Sequence, residues 1–341
     1  MIKDGLVFDD VLLIPKHSSL KSRADVDLSV KLAGRTYNHP IIPANMKTVT
    51  GEQMAEQIAE TKGLSILHRF MPIEDQINIA TKLVSQFSSN YIGVSVGVKN
   101  NDKEIVSMFH NAGVKIICID IAHGDSSHCI DMTAWIKTKY PDTMVIAGNV
   151  ATGQGAINLW ESGADVVKVG VGPGSLCTTR IETGNGVPQL TAIMEVAEAR
   201  QTMITRSRAN GENKYFPFIA DGGLKNSGDI SKALCFADMV MAGNLFAGCE
   251  ETPGEILLVD GIPHKHYVGS STHKANHIEG VAAFMPCKAK FKDVLGKLLE
   301  GVRSGCSYQG ATNLTEMKRN PNFVRITNAG LKESLPHNVR L

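Results

Sequence analysis

Short apolar runs rich in Val and Ile recur along the chain, at residues 41–44, 64–67, 92–96, 115–119, 143–147, 165–169, 216–220 and 238–242. Their near-continuous apolar character is what strands buried on both faces require. Most of the intervals between their starts are 22 to 28 residues, the length of one strand–helix unit; the long interval from 165 to 216 predicts an insertion. Helical patterns fill the gaps. Leu190, Ile193, Met194 and Ala197 fall at i, i+3, i+4 and i+7 behind Pro188, and 52–61 and 76–87 also read as amphipathic. Strand–helix alternation repeated eight times predicts an α/β protein, a (β/α)8 TIM barrel in one domain over 1–341, with a doubly wound open sheet as the alternative.

Each run is followed by glycine or a polar residue: Asn45, His68-Arg69, Gly97, Asp120, Gly148-Asn149, Gly170 to Gly174, Asp221-Gly222-Gly223 and Gly243-Asn244. A barrel gathers all eight of those ends onto one mouth, where its active sites lie. After the eighth run the pattern changes. Asp260-Gly261 separates two extended stretches, which reads as a hairpin, and a helix follows near 291–302. This tail is expected to stand outside the repeat, with 255–285 forming the hairpin and a mobile active-site segment.

Composition narrows the function. Hydrophobic residues make up 43% of the 341, enough for a large core. Lys+Arg number 35 against Asp+Glu 34, which argues against nucleic acid or a membrane surface as the partner. No apolar stretch approaches the roughly 18 residues of a membrane span, and the first residues lack the layout of a secretory signal. The seven cysteines are scattered and never spaced as C-x-x-C, so neither a disulfide framework nor a zinc site is indicated, and a cytoplasmic location is expected.

The strongest local signal is Gly170-Val-Gly-Pro-Gly-Ser-Leu-Cys177-Thr-Thr-Arg180. Three glycines in five residues leave backbone groups free to meet a ligand or ion. Cys177 at the end of this loop reads either as a nucleophile, favoured by Arg180, or as a structural cysteine on a tight turn. The loops after the seventh and eighth runs, Asp221-Gly222-Gly223 and Gly243-Asn244, stand where barrels cradle phosphate. Asp221 would repel phosphate, so a sugar hydroxyl suits it better. Lys168, inside the sixth run, reads as an inward lysine paired with a carboxylate, or as a Schiff-base lysine. His68, His123, His128, His264 and His266 show no metal-ligand spacing.

These residues, together with Phe8-Asp-Asp-Val-Leu-Leu-Ile-Pro15, Pro40 to Met46, Asp120-Ile-Ala-His-Gly124, Ala147-Gly-Asn149, Ile219 to Gly223 and Ser304-Gly-Cys-Ser-Tyr308, resemble the GMP reductases, within the larger family that includes the IMP dehydrogenases. The resemblance covers most of the chain. It implies NADPH-dependent reductive deamination of GMP to IMP and ammonia through a covalent Cys177 thioimidate, with Thr179 and Glu279 as the proton relay. It implies that Ser175, Gly223 and Gly243 hold the nucleotide phosphate, that Asp221 holds the ribose and that Ser271 meets the base, with Gly222 and Asn244 also among the substrate-binding residues. Arg69, Asp120, Ala122, Asn149, Val171 and Gly172 would line the nicotinamide side. Carbonyls of Gly172 and Gly174 would hold a monovalent cation, potassium, and the chain would form a homotetramer. Lys47 and Asn244 depart from the family's usual Asp and Gly. IMP dehydrogenase activity is the alternative, but the Arg-Tyr that activates water there is missing between His273 and Ile278. A non-catalytic nucleotide-binding barrel and a flavin-dependent oxidoreductase are the readings from other classes.

Overall fold

The structure, a computed structural model, describes residues 2–269 and 280–336. Eight parallel strands form its centre: β1 (Ile41–Pro43), β2 (Ser65–Leu67), β3 (Ile92–Val96), β4 (Ile116–Asp120), β5 (Met144–Val150), β6 (Val166–Val169), β7 (Phe218–Asp221) and β8 (Met239–Ala242). Each overlaps one of the apolar runs. The pairing order is β1-β8-β7-β6-β5-β4-β3-β2, and the two ends, β1 and β2, touch, which completes the ring. A first strand paired with the last excludes the doubly wound sheet.

Burial along these strands is nearly complete because side chains fill the ring inside and helices cover it outside. The only strand residues of the barrel that are not buried are Asp120, Asn149 and Asp221, all at or near the C-terminal ends of their strands. Asn149 is also where the β5–β6 register shifts, between Gly148 and Val150. An extra residue of this kind re-aims its side chain out of the ladder, here into the barrel mouth.

The outer ring holds α1 (Glu52–Glu60), α2 (Ile73–Gln86), α3 (Asp102–Asn111), α4 (Ser127–Lys139) and α5 (Gly153–Glu161). The long interval between β6 and β7 contains no further domain. It holds the glycine-rich loop, the five-residue α6 (Thr179–Thr183) and the 21-residue α7 (Gln189–Ala209). α8 (Ser227–Leu234) follows β7.

The tail corrects one expectation. α9 (Phe291–Tyr308) packs against α8 on one side and α1 on the other, which is the place of the eighth barrel helix. The repeat therefore continues to residue 308, and the hairpin is an excursion within its eighth unit. That hairpin pairs β9 (Ile256–Val259) with β10 (Ile262–Val268). Asp260 and Gly261 take φ of 52° and 76°, the left-handed pair that a two-residue turn needs. β11 (Ala282–Pro286) joins β10 on its other edge.

Candidate active site

Two adjoining cavities open at the C-terminal mouth, of about 600 Å³ and about 200 Å³. Both are lined by Cys177, Asp221, Gly222 and Met46. The larger adds Ser175, Gly223, Gly243, Asn244 and Tyr267, so the residues expected to hold a nucleotide share one wall. The smaller adds Asp120, Ala122, Asn149, Val171, Gly172 and Thr179, most of those expected on the nicotinamide side. Arg69 lines neither. Its guanidinium lies over the Phe70 ring at 4.7 Å, and it is Phe70 that reaches the smaller cavity.

The cysteine loop leaves β6 at Gly170, whose φ is +150°; a Cβ there would meet the Asp221 carbonyl at 2.1 Å, so only glycine fits. The loop then turns, with Cys177 N donating to Gly174 O at 3.1 Å. The half-buried Cys177 thiol donates to Thr179 Oγ1 at 3.2 Å. Arg180 does not bond the sulfur in the way its position suggests. Its Nε donates to Val171 O at 3.2 Å and its Nη2 to Val187 O at 2.5 Å, so it ties the two ends of the loop together. Burial lowers its pKa, and its charge reaches Cys177 only through space.

The remaining cysteines present a contrast. Burial pushes Cys129 up to about 11 and Cys235, Cys249 and Cys306 up to about 12, and raises Cys118 further. Those thiols stay protonated and enclosed. Cys177 and Cys287 are the two that are not buried.

Beneath the smaller cavity sits Lys168, 3% exposed. Its Nζ donates to Asp221 Oδ2 at 2.7 Å and Asp120 Oδ1 at 3.1 Å. Burial works against the ammonium, but the Asp221 and Asp120 carboxylates outweigh it and hold the pKa above its ordinary value. Lys168 is thus the paired inward lysine, not a free amine ready for Schiff-base chemistry. Asn149 Nδ2 donates to Gly170 O at 2.7 Å and Asp221 Oδ2 at 2.9 Å. With both protons spent, its buried Oδ1 has no partner among the described residues and can only accept.

Two further residues of the larger cavity escaped the sequence reading. Tyr267, on β10, is 4% exposed and lines the cavity together with Ser175. Gln189, the first residue of α7, lines the wall beside Gly223. The Asp-Gly hairpin signal located the strand that carries Tyr267 but not its direction toward the mouth. Ser271 and Glu279 lie outside the described residues. Their described neighbours converge on the cysteine loop: Val281 N donates to Leu176 O at 3.0 Å and Gly269 N to Val281 O at 2.9 Å. A Cβ on Gly269 would meet Leu176 Cβ at 2.5 Å, and one on Gly280 would meet Leu176 O at 2.9 Å, so the close approach depends on both glycines. Among the described residues, no three His, Cys, Asp or Glu side chains cluster as a metal site, and no helix is long and apolar enough to cross a membrane.

A family model described as the IMP dehydrogenase / GMP reductase domain matches residues 5–337. The chain belongs to this family. The IMP dehydrogenase/GMP reductase family is one of oxidoreductases, and relatives of both names are similar to this chain. A GMP reductase from Staphylococcus carnosus is 39% identical, with 92% of this chain and 94% of the relative covered. An inosine-5'-monophosphate dehydrogenase from Nitrosopumilus maritimus is 31% identical over 99% of each chain. The crystal structure of a Trypanosoma brucei GMP reductase in complex with guanosine 5'-monophosphate superposes with a TM-score of 0.89 at 29% identity, covering 99% of each chain.

Proposed function

We propose that this protein reduces GMP to IMP and ammonia with NADPH. The observation that carries the reading is the position of Cys177. Its thiol stands where the two cavities meet and donates to Thr179. A nucleotide in the larger cavity and a dinucleotide in the smaller one would both present their reacting atoms to it.

The chemistry follows from the residues. The Cys177 thiolate adds to C2 of the purine, its proton leaving toward the Thr179 hydroxyl. The C2 amino group departs as ammonia only if it is protonated, since the amide anion is a very poor leaving group. Thr179, with Glu279, supplies that proton. NADPH, bound in the smaller cavity, is the source of the hydride that replaces the amino group at C2. Expulsion of the thiolate then returns Cys177 and releases IMP. Asp221 accepts from the ribose. Ser175, Gly223, Gly243 and Tyr267 surround the phosphate, and Ser271 meets the base. The orphaned acceptor of Asn149 suits a donor such as the nicotinamide carboxamide NH2, which is the fit that supports a dinucleotide on this side.

The reading extends to a potassium ion on the carbonyls of Gly172 and Gly174. The Gly174 carbonyl accepts the Cys177 N–H and keeps a second lone pair, so an ion there would brace the cysteine loop. It extends also to a cytoplasmic homotetramer. Ile181, 82% exposed beside the site, and Leu258, 73% exposed on the hairpin, are apolar surface that self-association would cover.

The test is absorbance at the nicotinamide band with GMP plus NADPH, against IMP plus NAD. Consumption of NADPH with release of ammonia is expected; formation of NADH from IMP with no GMP-dependent signal would overturn the reading in favour of a dehydrogenase. Within the reductase, Glu279→Gln is expected to slow ammonia release by about 10²–10⁴-fold, the range for a lost acid–base group. Adduct formation from IMP and NADP+, which needs no departing ammonia, should be affected far less in single-turnover measurements.

A further inference from the structure

We propose that Gln189 is a positioning residue whose side-chain amide sets the gap between the cysteine loop and the phosphate loop. By fixing that gap, it fits the site to a ligand as long as a nucleoside 5'-monophosphate. The inference rests on the nucleotide reading above and adds a residue to it.

The ladder between β6 and β7 runs through Phe218↔Val167, Ile219↔Lys168 and Ala220↔Val169. Past that last rung the strands part. One opens at Gly170 into the cysteine loop and the other at Asp221 into the phosphate loop. Nothing in a parallel ladder holds two strands at a fixed spacing once its rungs end.

Gln189 stands at that point and is 2% exposed. Its Nε2 donates to Val169 O at 2.9 Å and to Asp221 O at 3.1 Å, one carbonyl from each strand end. The same side chain touches both loops. A Cβ at Gly170 would lie 3.1 Å from its Nε2, and one at Gly223 would lie 3.4 Å from its Cβ. Asn149 braces the same gap from the β5 side, on Gly170 O and Asp221 Oδ2.

The choice of an amide is explained by what the gap needs. Two diverging donors are required on one small, uncharged group. A hydroxyl offers one donor, and an ammonium would bring a second charge beside Lys168. A carboxylate would face two carbonyls with no proton to give.

Cys177 belongs to one loop and Gly223 to the other, so their spacing sets the reach from the thiol to the part of the phosphate cradle that Gly223 supplies. A misplacement of about 1 Å at a reacting centre can cost about 10²-fold in rate. Disturbing this spacer is therefore expected to appear in kcat more than in binding.

The experiment has two arms. In the first, Gln189→Met removes both donors and keeps the volume. We expect kcat with the 5'-monophosphate to fall by about 10–100-fold, while the nucleotide Kd measured by calorimetry changes far less. In the second, the wild type is given a 5'-phosphonate one methylene longer than the natural nucleotide. It should bind and turn over at least tenfold more slowly, on the order expected for a displaced reacting atom. Should the variant fail to fold, Gln189→Asn, which keeps the amide but shortens its reach, is read in the same way. A folded Gln189→Met enzyme with wild-type kcat, whatever its melting temperature, would overturn the proposal, as would equal turnover of both ligands by the wild type. Both arms use the nucleotide and cofactor pair that the wild type turns over. Which pair that is reports on the functional reading, and the kcat of the Gln189 variant relative to the wild type reports on Gln189.

Discussion

The two ends of the barrel both bury charge, and they finish it differently. At the base, Asp238, 3% exposed, accepts from Arg200 Nη1 at 3.2 Å, Tyr215 OH at 2.6 Å, the Phe218 N–H at 3.0 Å and Lys318 Nζ. Burial opposes its charge, but Lys318 and Arg200 outweigh that and hold the carboxyl below its ordinary range. Every donor it needs comes from the chain. At the mouth, Lys168 is as deeply buried, but the side chains of its partners Asp120 and Asp221 are 17% and 18% exposed and line the cavities. A buried carboxylate with all its lone pairs engaged maintains the fold. One left partly open is an acceptor waiting for a ligand.

That contrast can be broken by substitution. The largest effect belongs to the mouth: Cys177→Ala should lower turnover by about 10⁴-fold or more, as loss of a covalent nucleophile does, with nucleotide affinity and melting temperature nearly unchanged. Steady-state rates, calorimetry and thermal scans check the three together. The base should respond in the opposite sense. Asp238→Ala strands Arg200 and Lys318 and is expected to cost about 3–5 kcal/mol of stability, while the specific activity of the folded protein stays at the wild-type level.

Acid should attack the base as well. His39, 2% exposed and bonded through Nε2 to Thr61 Oγ1 at 2.9 Å, has its pKa lowered by burial to about 4. The native state therefore resists a proton that the unfolded chain accepts near pH 6.5. This group's contribution to stability is complete above pH 6.5 and is lost as pH falls toward 4, in total about 3 kcal/mol. Melting temperature against pH should show that slope, and His39→Gln should flatten it. The smallest effect returns to the mouth. Asp221→Asn should raise the nucleotide KM by about 10–100-fold, the equivalent of a charge-assisted hydrogen bond of about 1.5–3 kcal/mol. Its melting temperature should fall less than that of Asp238→Ala, because Asp120 remains on the Lys168 ammonium.

Much of this was legible in the residues. The eight strands were readable because burial on both faces leaves an unbroken apolar run, and the site because polar residues interrupt those runs where the strands end. Cys177 and the two glycine loops that line the larger cavity announced themselves through local glycine spacing. What the sequence hid depends on contacts between distant residues. The α9 pattern shows a helix, but only its packing against α8 and α1 makes it the eighth of the ring. Gln189 looks like an ordinary first residue of a helix, and its role comes from carbonyls 20 and 32 residues away. Arg180 was placed near the thiol correctly, but its hydrogen bonds go to Val171 and Val187 because a guanidinium on a glycine-rich loop finds backbone oxygens closest.

The convergence of Gly269, Gly280 and Val281 on Leu176 has an evolutionary consequence. The hydrogen bonds to Leu176 O and Val281 O fix both ends of the intervening stretch beside the Cys177 loop, whatever its length or content. The entropic cost of closing such a stretch rises only with the logarithm of its length. Residues between the two glycines can thus be exchanged, added or removed without disturbing the barrel, so the chemistry of this stretch, Ser271 and Glu279 included, can change while the scaffold stays. The clamp therefore gives a scaffold shared by relatives of two names a place where the chain can vary without refolding the barrel.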